Sequence, residues 1–137
     1  KELIWAGVRS SDVAEAPFLY DRNNIVSGGG TPNLSETVKL VLNGHDRFAA
    51  REALYFTRTQ IWQHHTGYGS TQPTKDNIAV YSFALKPEEH QPSGTCNFSR
   101  IDNAQLVQSD AQPVEVYAVN YNVLRIMSGM GGLAYSN

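Results

Sequence analysis

Residues 78–85, IAVYSFAL, are apolar on both alternations of an extended chain. Ala79, Tyr81, Phe83 and Leu85 fall on one side and Ile78, Val80 and Ala84 on the other, with Ser82 the one interruption. A strand of that kind is covered on both faces, in the middle of a sandwich or beneath a neighbouring subunit. Residues 37–43 instead set Val38, Leu40 and Leu42 against Lys39, Val41 and Asn43, the pattern of a strand. Residues 1–8 set Leu3, Trp5 and Gly7 against Glu2, Ile4, Ala6 and Val8, which suits a strand buried on both faces. Residues 104–108 make a short strand and residues 114–127 the longest extended run. At about 3.3 Å per residue that run would reach roughly 45 Å, long for one strand, so a kink or bulge is expected near residues 120–122.

The punctuation between these runs is chemical. Pro87 has no N–H for a ladder and pushes Lys86 out of the helical region; Gln91-Pro92-Ser93-Gly94 is turn chemistry. Gly44 ends the strand before it. Residues 46–55, DRFAAREALY, predict a brief helix with Asp46 as N-cap and Phe48, Arg51, Glu52 and Tyr55 at helical spacing. Residues 55–65, aromatic and mixed with Thr and Gln, predict a further extended segment. Residues 10–32, carrying Gly28-Gly29-Gly30, and residues 67–77 read as long loops. The triplet lacks the GK[ST] sequel of a phosphate loop. The glycines of the tail, SGMGGLAYSN, let backbone approach a neighbour closely. Five strands, two long loops, no long helix and no repeat give an all-β fold with Greek-key-like connections.

Three stretches go further. FALKPEEHQPSGTCNFSRIDNAQL (residues 83–106), LNGHDRFAAREALYFTRTQIWQHHTG (residues 42–67) and VYAVNYNVLRIMSGMGGLAYSN (residues 116–137) resemble, in order, the C-terminal part of the major capsid protein of nucleocytoplasmic large DNA viruses, the phycodnavirus, iridovirus and mimivirus group. The resemblance implies a jelly-roll sandwich. Residues 1–137 would be the C-terminal portion, about five strands lettered E to I, of the second jelly roll of a double jelly-roll capsid protein, with the first jelly roll and the opening strands upstream. It also implies homotrimers that present a pseudo-hexagonal tile, contacts with neighbouring capsomers and minor capsid proteins, and a place in the virion shell after assembly in the host cytoplasm. On that reading Tyr55, Phe56, Trp62, Tyr81 and Phe83 are the candidate subunit contacts, since interface cores favour aromatics. Arg100 and Asp102, two residues apart, are read as a structural clamp on the loop after residues 78–85.

Composition narrows the alternatives. The net charge is −2 over 137 residues and the basic residues are scattered, so nothing marks a direct nucleic-acid partner. No run approaches the roughly 18 apolar residues of a membrane span. Cys96 is the single cysteine, so no intrachain disulfide exists. His64-His65 are adjacent and diverge on an extended chain, His45 and His90 are the only other histidines, and no acidic cluster is placed by spacing to join them, so no metal or other cofactor is expected. Glu88-Glu89 diverge likewise, and Ser99 with His90 and Asp102 lacks a nucleophile turn, which argues against an enzyme. Asn33-Leu34-Ser35 and Asn97-Phe98-Ser99 match the glycosylation acceptor pattern, with Asn33 the better placed. The alternative function is a jelly-roll carbohydrate-binding module, for which Gln60, Trp62, Gln63 and Tyr68 would supply aromatic and amide contacts.

Overall fold

The computed structural model describes residues 1–7, 37–67, 78–109 and 114–135. The glycine triplet, Asn33, Tyr68 and most of the 67–77 loop lie outside the described residues. The strands are β1 (Glu2–Gly7), β2 (Thr37–Leu42), β3 (His45–Asp46), β4 (Arg51–Glu52), β5 (Ile78–Ser82), β6 (Ala104–Gln108), β7 (Val114–Val119), β8 (Leu124–Met127) and β9 (Met130–Leu133). A π-helical turn, Tyr55–Thr59, runs into the short helix α1, Gln60–His64.

Two antiparallel sheets face each other. In the first, β1 lies between β5 and β7, with Trp5 opposite Ala79 and Val116, and Leu3 opposite Tyr81 and Ala118. In the second, β2 carries β6 along one edge and β3 then β4 along the other. The alternation read from the sequence decides which side chains meet. Leu3, Trp5 and Ala79 face Val38 and Leu40, and Phe56 enters from the helical segment to close the core. Trp5, Val38 and Phe56 are the largest fully buried hydrophobic side chains.

The pairing fixes the topology. A jelly roll has sheets ordered B-I-D-G and C-H-E-F. The orders β5-β1-β7 and β3/β4-β2-β6 are G-D-I and F-E-H. The all-β jelly-roll expectation therefore holds, and its lettering needs a correction: β1 to β7 run from D to I, and the lettered strand that was missed is F. Strand F is the pair β3 and β4, where a brief helix over residues 46–55 was expected. Asn43 (φ 51°) and Gly44 (φ 80°) make a two-residue hairpin turn of the type that needs positive φ twice. That turn returns the chain along β2 before any helix can start. Between Val41↔Asp46 and Val38↔Arg51, β2 advances three residues while its partner advances five (41 − 38 against 51 − 46). The surplus is a bulge between β3 and β4 that turns Phe48 inward.

Two more expectations change. Residues 53–64 are helical, not extended, and the Gln60 N–H reaches back to the Tyr55 carbonyl, five residues earlier. The long run over residues 114–127 does break at residues 120–123, as its length demanded. Beyond the break, β8 and β9 form a hairpin through Ser128-Gly129, both at positive φ, where the tail had no strand assigned. The strand expected at residues 78–85 stops at Ser82, because Ser82 Oγ turns to the Ala84 backbone. Ala79, Val80, Ser82 and Ala84 are buried, but Ile78 and Leu85 are exposed, so both faces are covered only in the middle.

Candidate functional site

The bulge, the helical segment and β5 meet at one rim of the sandwich and build a continuous aromatic wall. Trp5 packs on Phe56 at 5.3 Å between centroids, Phe56 on Phe48 at 5.5 Å, Phe48 on Tyr81 at 4.8 Å, Tyr81 on Phe83 at 5.0 Å, and Phe83 on Phe98 at 5.9 Å. Tilted and edge-on pairs of this kind each add about 0.5–1.5 kcal/mol beyond the area they bury. Tyr55 joins edge-on to Phe56 at 5.1 Å and lies under the Arg51 guanidinium, 4.6 Å from the ring centre. Burial pushes the Tyr81 phenol above its usual range, while the charges of Arg47 and Arg51 pull the other way.

The candidate contact residues therefore divide. Phe56 is wholly buried within this chain and packs its core, so it cannot present a surface to a neighbour; that assignment is corrected. Tyr55, Tyr81 and Phe83 are partly buried in the wall, and Trp62 stands 72% exposed on α1. The widened turn accounts for the division, because residues 56 and 60 point inward and residue 62 outward. Gln60 is buried, with its Nε2 donating to the Tyr55 hydroxyl at 2.8 Å and its Oε1 accepting from the Ser82 N–H at 3.1 Å. It is thus withdrawn from the exposed Trp62 and Gln63, and the sugar-contact set is not assembled among the described residues.

The Arg100–Asp102 clamp is also corrected. Among the described residues these side chains form no ion pair with each other. The loop is held by Asn43 instead: its Oδ1 accepts from the N–H groups of Asp102 (2.9 Å) and Asn103 (3.2 Å), and its own N–H donates to the Asn103 carbonyl (2.8 Å). The turn residue that reverses the chain is thereby also the lock on the 97–103 loop. Asn97, the second acceptor motif, uses its own Oδ1 to cap the short turn Phe98–Arg100 through the Ser99 N–H.

The adjacent histidines serve as ties. His64 Nδ1 lies 3.0 Å from the Leu85 carbonyl. His65 stands between two carboxylates, Nε2 2.8 Å from buried Glu2 and Nδ1 3.1 Å from Glu88. Glu88 also accepts from the Thr66 hydroxyl (2.8 Å) and N–H (3.0 Å), and these hydrogen bonds, with His65, hold its carboxyl below the ordinary value. Three segments are stitched there: the start of β1, the end of α1 and the loop after β5. Elsewhere the hairpin β8–β9 displays Leu124, Ile126, Met127, Met130 and Leu133 largely exposed.

An antiparallel jelly roll that turns apolar strands outward and spends its polar side chains on ties between segments has the build of a structural subunit. The comparisons agree. The chain belongs to the large eukaryotic DNA virus major capsid protein family, whose family model matches residues 1–132. It is 57% identical to the major capsid protein of Phaeocystis pouchetii virus over 93% of this chain and 28% of that protein. It is 45% identical to the major capsid protein of Paramecium bursaria Chlorella virus 1 over 74% of this chain and 28% of that protein. Among solved structures it superposes on a chain of the quasi-atomic PBCV-1 virus capsid with a TM-score of 0.72 and 35% identity, over all of this chain and 43% of that one. The chain thus spans well under half the length of these relatives.

Proposed function

We propose that this chain is the C-terminal portion of a capsid-building protein that acts in the virion shell, with no catalytic role. The observation that carries the reading is the family match across residues 1–132 on a chain whose strands pair as D to I of a jelly roll. Strands B and C of that roll, and a first jelly roll, lie upstream in the full-length protein, which forms homotrimers presenting six rolls as a pseudo-hexagonal tile. Minor capsid proteins join the tiles, and assembly takes place in the host cytoplasm. The open edges of β7 and β6, unpaired among the described residues, support this placement because B and C would occupy them.

Function on this reading is mechanical: a stiff sandwich with lateral surfaces that match like neighbours. Of the five candidate contacts, Trp62 on α1 is the most exposed, and it is assigned to the trimer contact. Light scattering of the full-length protein is expected to give three times the chain mass, and Trp62→Ala to shift the balance towards single chains. A full-length protein that stays monomeric at every concentration would remove the reading.

A further inference from the structure

His65 has a carboxylate on each of its ring nitrogens. Its Nε2 lies 2.8 Å from Glu2 Oε2 at the start of β1, and its Nδ1 lies 3.1 Å from Glu88 Oε1 in the loop after β5. A neutral imidazole carries one N–H and can donate to only one of these oxygens; its other nitrogen would turn a lone pair on a carboxylate. Both contacts are attractive only when each holds a proton. Imidazole is ordinarily a stronger base than a carboxyl group, so the ring holds both protons. The two acceptors are unequal. The Glu2 side chain is 8% exposed and, among the described residues, has His65 as its one hydrogen-bond partner. A buried carboxylate stripped of its donor is costly. Glu88 is 41% exposed and also accepts from the Thr66 hydroxyl and N–H. The neighbouring groups among the described residues are engaged elsewhere: His64 Nδ1 on the Leu85 carbonyl, Lys86 on Glu89 at 3.2 Å, and the Lys1 amino group on the Val119 carbonyl.

We propose that His65 is a proton-operated latch: as the imidazolium it ties the end of α1 both to β1 and to the loop after β5, and on giving one proton to water it keeps Glu2 and lets go of Glu88. The proton that stays is the one on Nε2, because Glu88 can turn to solvent and Glu2 cannot. The Glu88 tie is thus present on the acid side of the imidazole's titration and is lost as pH rises through it. Glu88 itself stays ionised across that range, since its carboxyl is held below the ordinary value by the Thr66 hydrogen bonds and by His65. The latch sets the far end of α1, which carries exposed Trp62. Resting on the reading that puts Trp62 in the trimer contact, its opening also weakens self-association.

The test uses the full-length protein. Amide exchange at Thr66, whose N–H donates to Glu88 Oε1, is followed from about pH 5.5 to pH 9, the span that brackets imidazole titration, and corrected for the intrinsic pH dependence of exchange. The parent is compared with Glu88→Gln, which keeps the shape of that exposed side chain and removes the charge that the second proton answers. A second comparison is His65→Gln, which keeps one N–H donor for Glu2 and cannot titrate. Protection at Thr66 is expected to fall about tenfold across the span in the parent, the worth of one charge-assisted hydrogen bond. It is expected to be lower at the acid end and nearly level in both variants. Protection that follows the same course with pH in the parent and in Glu88→Gln overturns the latch and leaves His65 a fixed tie. Sedimentation velocity on the same samples tests the link to assembly. Association that weakens along with protection in the parent alone supports it. Association that stays constant while protection falls leaves the latch standing and removes Trp62 from the trimer contact.

Discussion

Gly94 shows how much a missing side chain can fix. A Cβ placed there would lie 2.5 Å from the Phe83 carbonyl oxygen and 3.1 Å from the Ala84 Cα, both backbone, which has little room to move. The loop after β5 closes over that strand's end, helped by Ser93 Oγ, which accepts from the Lys86 N–H and donates to the Lys86 carbonyl. Gly94→Ala must lift the loop off Phe83, and overpacking of this kind costs about 1–3 kcal/mol. A fall of several degrees in Tm is expected by calorimetry, and an unshifted Tm would show that the loop does not bear on β5. The sequence marked residues 91–94 as a turn, but not the contact, because nothing local says what a turn folds onto. The aromatics were similarly half legible. Tyr55, Phe56 and Trp62 were grouped on the assumption of an extended chain; a helical segment with one widened turn sends Phe56 to the core and leaves Trp62 in water.

At the scale of elements, β2, with its clean alternation, and β1 and β5, apolar on both faces, form where their patterns put them, because burial of their apolar side chains is the force that aligns them, although β5 ends at Ser82. The failures fall where two signals competed. Residues 46–55 contain good helix formers, yet Asn43-Gly44 just before them is a strong hairpin signal, and pairing with an already buried β2 outweighed propensity. The helical segment that follows is anchored by side chains distant in sequence, Gln60 on Ser82 and His65 on Glu2, which no local window contains. Its far end depends on Glu88. Because the folded-state pKa of that carboxyl is depressed, its contribution is fully present above the ordinary value of 4.5 and is lost as pH falls through the lower folded value. Melting curves of the parent and Glu88→Gln are therefore expected to differ most near pH 6 and to converge in acid. A gap that stays constant down to pH 3 would mean that the ionised Glu88 does not hold the tie to Thr66 and His65.

At the scale of the whole molecule, strand lettering says which neighbours the edges of the described sheets would take. With G-D-I and F-E-H assigned, strand I (β7) should pair B on its free edge and strand H (β6) should pair C on its own. The side chains agree: Val116 and Ala118, on the same face of the sheet as Trp5 and Leu3, are exposed on β7, and Ala104 is exposed on β6 opposite Leu42. Those positions are the edge of a core whose next strand is not among the described residues. Open, partly apolar edges invite pairing with other chains. Polypeptides extended upstream by increasing lengths separate two outcomes. Once B and C are included, amide exchange in β6 and β7 is expected to slow and the unfolding transition to sharpen, since both edges then gain a ladder and a covering face. If residues 1–137 alone already protect those amides and unfold in one cooperative step, the D-to-I unit closes its own edges, and the upstream strands serve the shell rather than the fold of this roll.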